Sequence, residues 1–519
     1  MHSILTMGQS NNKKGVIAAG HPETANAAAE ILQDGGNSFD AAVAAQFTAF
    51  VAEPVLTSLA GGGFLMAEKN NGRQIVYDFF VQTPVNKRDS SQIKFTPISA
   101  DFGEAQQEFH IGAGSVATPG MVKGLCAIQR DLCTMPMSRL AEYAISLAKN
   151  GVTVNAFQSR IFDIVEPIYK SSDEARKIFT ESSEGETLKL PELAGFIEEL
   201  AGGGEVFFYK GTPAEKISEI CSEQGGHLTK EDFNNYRVFK REPHRFSYRN
   251  SHIAINPPPS SGGILIAFVL TLLEDVDFNE IQFGSESHLT LLSLVQQLTN
   301  KARIDAFVSL PFDDPAKKLL DPEHLAIYRK EIAGRWASFR GTTQISIADS
   351  HGNLASLTSS NGEGSGVMIP GTGVMLNNML GEEDLNPGGF NNWKTGQRMT
   401  SMMAPAIVRL ADGRRAALGS GGSNRIRSAM IHVLTNLIDF GMSPEEAVGS
   451  PRIHNEEDLL NIEGGFDSKA IAELTKLYSD HKIWKERNLF FGGAHMVSSG
   501  PEGFSGAGDQ RRGGVSIIV

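Results

Sequence analysis

Paired glycines recur along the whole chain, each embedded in patterned sequence: Gly61-Gly62-Gly63, Gly202-Gly203-Gly204, Gly262-Gly263, Gly388-Gly389, Gly421-Gly422, Gly492-Gly493 and Gly513-Gly514. Glycine is used where φ must turn positive or where a backbone must approach a neighbour more closely than a Cβ allows. A single pair reads as a turn. So many, among 54 glycines in 519 residues, point to a tightly layered α/β protein whose sites are lined by backbone.

The local patterns agree. Residues 16–19 read as a short strand ending at Gly20, and Pro22 opens a helix that Asp34-Gly35-Gly36 stops after residue 33. Asn37 or Ser38 caps a second helix to about residue 52. Asn71-Gly72 between the apolar runs 64–67 and 75–80 signals a hairpin. The middle, roughly 120–340, reads as mostly helical, with helices at 138–150, 214–224, 263–273 and 285–307. Residues 327–340 show no clear cap or stop and read as a segment leading into a junction. After Gly341 the texture changes: 342–349 alternates polar and apolar, 350–353 is a turn, and 354–359 is the returning strand. Further strands are expected at 367–369, 373–376, 406–410, 415–418 and 514–519, and helices at 424–440, 443–448 and 468–478. The sum is an α/β chain folded as a four-layer αββα sandwich, two stacked, mainly antiparallel sheets flanked by helices.

Several function classes are excluded. With 47 Lys+Arg against 60 Asp+Glu the formal charge is −13, and no long basic run offers a nucleic-acid surface. Hydrophobic residues at 41% and charged residues at 21% fit a globular chain rather than a disordered one. The longest apolar run, 264–273, is about half of the ~20 residues a membrane span requires. The first ten residues lack a basic region followed by an apolar one, so the chain as written is expected in the cytoplasm, or in the periplasm or outside the cell if a leader has been removed. Cys126, Cys133 and Cys221 are too few for a disulfide framework and form no CxxC pair. HExxH and the Walker loop do not occur, residues 503–507 break GxSxG at the last position, and 362–367 miss the final glycine of GxGxxG. No metal and no cofactor are expected. His21, His288, His351 and His454 match no nucleophile–base spacing and read mostly as structural or turn residues.

Thr342 heads a strand. A threonine hydroxyl is a weak nucleophile that needs an adjacent base, and one solution makes it the first residue of a new chain, whose own α-amine accepts the proton. That amine titrates near ~8, so a useful fraction is neutral at physiological pH. Here the solution requires scission between Gly341 and Thr342, by attack of the hydroxyl on the preceding carbonyl and opening of the ester by water. By itself a Thr-Thr pair entering a strand reflects β-propensity.

The neighbouring motifs are more specific. They are Asp34 to Ala45, Glu53-Pro54, Gly61 to Phe64, Ser115 to Gly120, Phe208 to Gly211 and the Pro257 to Gly263 loop. Beyond the junction they continue with Thr342-Thr343, Asp349 to Asn353, Asn377-Asn378, Ser401 to Pro405, Gly419 to Ile426, Pro451-Arg452 and Gly506 to Arg512. In these, from Gly15 to Gly514, the chain resembles the γ-glutamyltransferase family of N-terminal-nucleophile hydrolases. The resemblance implies that residues 1–341 form a large subunit and 342–519 a small one, both cut from one precursor and building one αββα fold. It implies Gly341–Thr342 as the autocleavage bond, Thr342 as nucleophile and, through its amine, base, and Ser360 as the hydroxyl supporting that amine. Gly421 and Gly422 would supply the oxyanion hole, with Ser423 sharing the task; Asn361 and Ser401 would contact substrate.

Departures from the family pattern fall in the substrate-binding part. Where the family has Asp-Phe-Arg-Glu, this chain reads Asp78-Phe79-Phe80-Val81, so Phe80 replaces an arginine that clamps the substrate carboxylate. A phenyl ring cannot do that; Arg88 is the alternative nearby. After Asn377-Asn378 the family's amine-binding aspartate is lost. Met379 stands in place of a glutamine and Glu382 is the nearest acidic stand-in, although 382–384 reads equally as a solvated acidic loop. Met402 stands where a second substrate serine is expected.

Three functions follow. The first is a self-processing γ-glutamyltransferase/glutathione hydrolase-like enzyme passing an acyl group from Thr342 to water or an amine. The second is an amidase or acylase similar to the family's cephalosporin-acylase branch, and the third an unprocessed binding relative. The substrate is a small molecule; neither nucleic acid nor membrane is a partner, and further pairing of processed heterodimers stays open.

Overall fold

The strand that follows Thr342 keeps strict alternation, and the fold is built around the two environments this creates. The computed structural model describes residues 13–101, 106–179, 183–303, 319–321, 325, 328, 342–386, 388–456 and 459–519. The expected segment 327–340 lies outside them apart from Tyr328, as does Gly341.

One sheet has seven strands in the order Val515–Ile518, Gly15–Ala19, Thr343–Asp349, Leu354–Ser360, Gly62–Glu68, Gln74–Asp78 and Phe239–Arg241, each antiparallel to its neighbours. The second has six: Gly503–Ala507, Gly493–Gly500, Arg415–Gly421, Ala406–Arg409, Ser251–Ile255 and His244–Tyr248, also antiparallel. Ile17, Ala19, Leu65, Ala67, Ile345, Ile347 and Leu357 turn outward into a core shared with helices Pro22–Gln33 and Ser38–Ala52. Val16, Ala18, Phe64 and Met66 turn the other way, into a core shared with the second sheet and helices Gly262–Leu273, Glu286–Arg303 and Arg425–Ile438. The layering is αββα.

The inner-facing positions of the central strands are polar and cross-link the sheets. Gln344 Nε2 donates to Ser346 Oγ at 2.9 Å and Ser356 Oγ at 3.0 Å, and Gln344 Oε1 accepts from Thr358 Oγ1. Ser346 Oγ donates to the His495 carbonyl at 3.0 Å and Ser356 Oγ to the Leu418 carbonyl at 2.8 Å. Since buried hydroxyls and amides need partners, this seam sets the register of one sheet on the other. It also requires closeness: a Cβ on Gly419 would lie 2.2 Å from Gln344 Oε1.

Local signals were followed closely at the first helices. Asn37 caps Ser38–Ala52 in a reciprocal capping box with Asp40. Ser38 N then donates to Asp349 Oδ2 at 2.8 Å, tying that helix to the end of the Thr343–Asp349 strand. The middle of the chain is mostly helical, with one addition: His244–Tyr248 and Ser251–Ile255 form a hairpin in the second sheet. Among the clustered glycines, Gly204 within Pro191–Lys210 takes a positive φ of 57°, while a Cβ on it or on Gly202 would meet nothing within 4 Å.

Strands from either side of residue 341 interleave, since Gly15–Ala19 lies between Val515–Ile518 and Thr343–Asp349. No helix among the described residues is long and apolar enough to cross a membrane.

Four histidines are structural in a specific way. At Nδ1, His21 accepts from Glu23 N (3.1 Å), His227 from Arg88 N (3.1 Å), His288 from Gly284 N (3.0 Å) and His495 from Asp509 N (3.0 Å). An accepting Nδ1 requires a neutral ring, and burial pushes each of the four down to about 4. Unfolded histidine titrates near ~6.5, so between these values the unfolded chain binds more protons and stability falls as pH drops through the window. We expect the urea midpoint to decline between pH 7 and pH 4.5, and His288→Gln to flatten that decline; equal slopes in both proteins would exclude this role for His288.

Candidate active site

Because Thr343 pairs with Ser359, Thr342 and Ser360 fall on one side of the sheet, the side that faces the second sheet. There they line one small pocket with Phe80, Met379, Glu382, Asp384, Leu385, Ser401, Met402, Met403, Ser423 and Ile426. Both hydroxyl residues are buried. Ser360 Oγ accepts from Gly362 N at 2.9 Å.

The second sheet delivers Gly421 to the nucleophile candidate. It ends the Arg415–Gly421 strand, and a Cβ there would sit 1.9 Å from the Thr342 carbonyl oxygen. Only glycine fits this contact. Gly422 follows at φ 122°, where side-chain-bearing residues are strained, and the turn leads into helix Arg425–Ile438. With Ser423 and Ile426 in the wall, the pocket meets the amino end of a helix, where backbone N–H groups and the helix dipole favour negative charge.

Ser401 and Met402 are held by the Pro257 to Gly263 loop. The Ser401 carbonyl accepts from Ser261 N (2.9 Å), Gly262 N (3.1 Å) and Ser260 Oγ (2.8 Å), and a Cβ on Gly262 would be 2.0 Å from the Met402 carbonyl. Phe80 is fully buried and stacks on Phe64 with centroids 5.4 Å apart. Arg88 does not line the pocket; its Nη1 binds the Ser222 carbonyl at 3.2 Å. Arg398 meets Phe80 at the backbone carbonyl, with its Nε 3.2 Å from Asp78 and its Nη1 2.7 Å from the Tyr236 hydroxyl.

Glu382 is buried rather than solvated, close enough to Gly362 that a Cβ there would lie 2.1 Å from Glu382 Oε1. Asp384 also lines the pocket, and its Oδ2 accepts from Ser423 Oγ at 2.6 Å. Asn361 is buried, its Nδ2 at 3.5 Å from the Met375 carbonyl and its Oδ1 without a hydrogen-bond partner among the described residues, and it is not among the pocket-lining residues.

Two contacts on the Thr342-Thr343 segment carried no role in the sequence reading. Glu53 Oε2 accepts from Thr343 Oγ1 at 2.7 Å and its Oε1 from Thr24 Oγ1 at 2.8 Å, while burial pushes the Glu53 carboxyl above its usual range. Arg512 Nη1 donates to the Thr342 carbonyl at 3.3 Å. Both residues sit inside motifs of the family resemblance, Glu53-Pro54 and Gly506 to Arg512, which is the signal that pointed to them. Among the described residues, no histidine lines the pocket. The described residues hold no cluster of three or more His, Cys, Asp or Glu placed to bind a metal.

Comparison with known proteins gives a consistent picture. The sequence model of the gamma-glutamyltranspeptidase family matches residues 24–519. The acylase ACY 1 proenzyme of Pseudomonas sp. (strain V22) is 31% identical, over 98% of this chain and 94% of that protein. The glutathione hydrolase proenzyme of Escherichia coli (strain K12) is 29% identical, over 96% and 90%. The crystal structure of cephalosporin acylase from Bacillus halodurans shares the fold, with a TM-score of 0.84 at 22% identity, covering 98% of this chain and 96% of that one.

The Gly421 contact makes a sharp prediction. Gly421→Ala should push the Thr343–Asp349 strand out of place and lower kcat by at least about a hundredfold, the scale of a lost oxyanion donor, with thermal unfolding still cooperative. Wild-type kcat in the variant would mean that this approach has no catalytic consequence.

Proposed function

Because the chain belongs to the gamma-glutamyltranspeptidase family, we propose that it is a self-processing γ-glutamyltransferase/glutathione hydrolase-like enzyme with Thr342 as its nucleophile. The observation that carries this reading is the seat of Thr342: at the head of a central strand, in a pocket with Ser360, its carbonyl against the Gly421 backbone.

The mechanism follows from those groups. The Thr342 hydroxyl attacks the Gly341 carbonyl, the peptide nitrogen leaves, and water opens the resulting ester to give a Gly341 carboxylate and a free amine on Thr342. That amine then takes the hydroxyl proton as the oxygen attacks a substrate amide, and Ser360 supports the amine. The tetrahedral oxyanion is met by the N–H groups of Gly421 and Gly422, each worth a few kcal/mol of barrier. The leaving amine departs with the proton. The acyl ester on Thr342 passes to water or to an acceptor amine by the same steps in reverse order. Interleaving of strands keeps the two products of cleavage, 1–341 and 342–519, in one fold. Glu382 or Asp384 would bind a substrate ammonium, and Ser401 its polar head.

A second reading, an acylase of the same mechanism, is favoured by the pocket wall itself. Phe80, Met379 and Met402 present two thioethers and a phenyl ring, surfaces suited to an acyl group without a carboxylate.

Denaturing gels of wild-type protein should show bands of about 37 and 19 kDa, in proportion to 341 and 178 residues of a 56.0 kDa chain. Thr342→Ala should leave one band and abolish turnover. A lasting single band in the wild type would favour an unprocessed binding protein. Side-by-side assays of γ-glutamyl-p-nitroanilide and an N-acyl anilide lacking the amino acid head then divide the two enzyme readings, with faster turnover of the latter favouring the acylase. Phe80→Arg should lower KM for the γ-glutamyl substrate about tenfold, the effect of ~1.4 kcal/mol; an unchanged KM would mean that position 80 does not meet the substrate.

A further inference from the structure

Arg512 is buried beside the nucleophile in an arrangement that differs from that of its neighbours. Arg452 pairs with Asp509 at 2.7 Å, and Arg511 pairs with Glu463 at 2.6 Å and Asp509 at 3.1 Å. The Arg512 guanidinium instead meets two neutral carbonyls, Thr342 O through Nη1 and Leu489 O through Nη2, both at 3.3 Å. Among the described residues no carboxylate lies within ion-pair distance of it, and its Nε is buried without a hydrogen-bond partner. Burying a guanidinium without a counter-ion is costly. Burial pulls its pKa down to about 10, which still leaves it charged at neutral pH.

The surrounding backbone is shaped to admit it. A Cβ on Gly493 would lie 2.3 Å from Arg512 Cδ, one on Gly422 3.1 Å from Nη2, and one on Gly421 3.4 Å from Nη1. Three glycines therefore form a slot that leads the guanidinium to the Thr342 carbonyl. The group most sensitive to a fixed charge at that place is the α-amine of the same residue, one Cα away from the carbonyl carbon, because a like charge nearby disfavours the ammonium form.

We propose that Arg512 is a positioning residue for the nucleophile: it pins the Thr342 carbonyl and supplies the fixed positive charge that keeps the released α-amine unprotonated and able to accept the hydroxyl proton. The proposal rests on the reading of Thr342 as a processed N-terminus. The surrounding carboxylates pull the other way: Glu363 after the Ser360 strand, Glu382 and Asp384 in the pocket wall, Glu53 behind Thr343, and Asp509 in the C-terminal turn. Arg452, across from Arg512, adds to the positive side. Arg512 is the counterweight in direct contact with the nucleophile residue.

The test is the pH profile of kcat/KM for the cleaved enzyme, with the Thr342 N-terminus verified in each preparation. Arg512→Gln should move the acid limb upward by about one unit, the size of a single lost neighbouring charge, whereas Arg512→Lys should leave it in place even if kcat falls. An unshifted limb in cleaved R512Q overturns the inference and leaves the nucleophile reading standing. A wild-type preparation without a Thr342 N-terminus overturns the reading beneath it. Should R512Q remain uncleaved, cleavage and an unshifted limb in R512K support the need for the charge, and an uncleaved R512K overturns it.

Discussion

The carbonyl of Thr342 and the Cα of Gly421 approach so closely that no side chain fits between them. This contact ties the leading end of one sheet's central strand to the trailing end of a strand in the other sheet. The seam of Gln344, Ser346, Ser356 and Thr358 holds the same two sheets in register one step further along, and Gly419 makes room for it. A slip of one residue would turn every inner-facing polar group outward into the apolar helical layer. The position of the hydroxyl is thus set by the stacking of the sheets rather than by the flexible chemistry of a loop.

Such a seat resolves a conflict between stability and reactivity. A buried hydroxyl flanked by polar side chains weakens an apolar core, and here the loss is contained because each inner-facing group of the seam finds a partner, Gln344 and Thr358 within their own sheet and Ser346 and Ser356 across to the other. On the other side of the strand, Thr343 is held by Glu53, whose second oxygen takes Thr24 from the first helix. The Thr342-Thr343 segment is therefore held through the Thr343 side chain and at the Thr342 carbonyl. The pocket in front of it sets Glu382, Asp384 and Ser401 beside Met379, Met402 and Phe80, the last stacked on Phe64.

Much of this was legible in the sequence where the determinants are local. The Asn37 capping box, the Asp34-Gly35-Gly36 stop and the alternation of 343–349 each specify their element within a few residues. That Thr342 and Ser360 share a face follows only once the pairing of Thr343 with Ser359 is known. The hairpin 244–255 and the strands Gly493–Gly500 and Gly503–Ala507 were not legible, being glycine- or histidine-containing segments defined by their pairing partners. In the site, the family resemblance named Gly421, Gly422 and Ser401. Asp384 was seen only as part of an acidic run, while Glu53 and Arg512 lay inside motifs of the resemblance whose partners, 290 and 170 residues away, those motifs did not disclose.

The most direct measurement is the N-terminal sequence of the smaller fragment of active protein. The account predicts a single sequence, Thr-Thr-Gln-Ile, beginning at Thr342, in a fragment that stays associated with its larger partner under native conditions. Full activity from a chain still intact across residues 341 and 342, or a fragment that begins elsewhere, would contradict it.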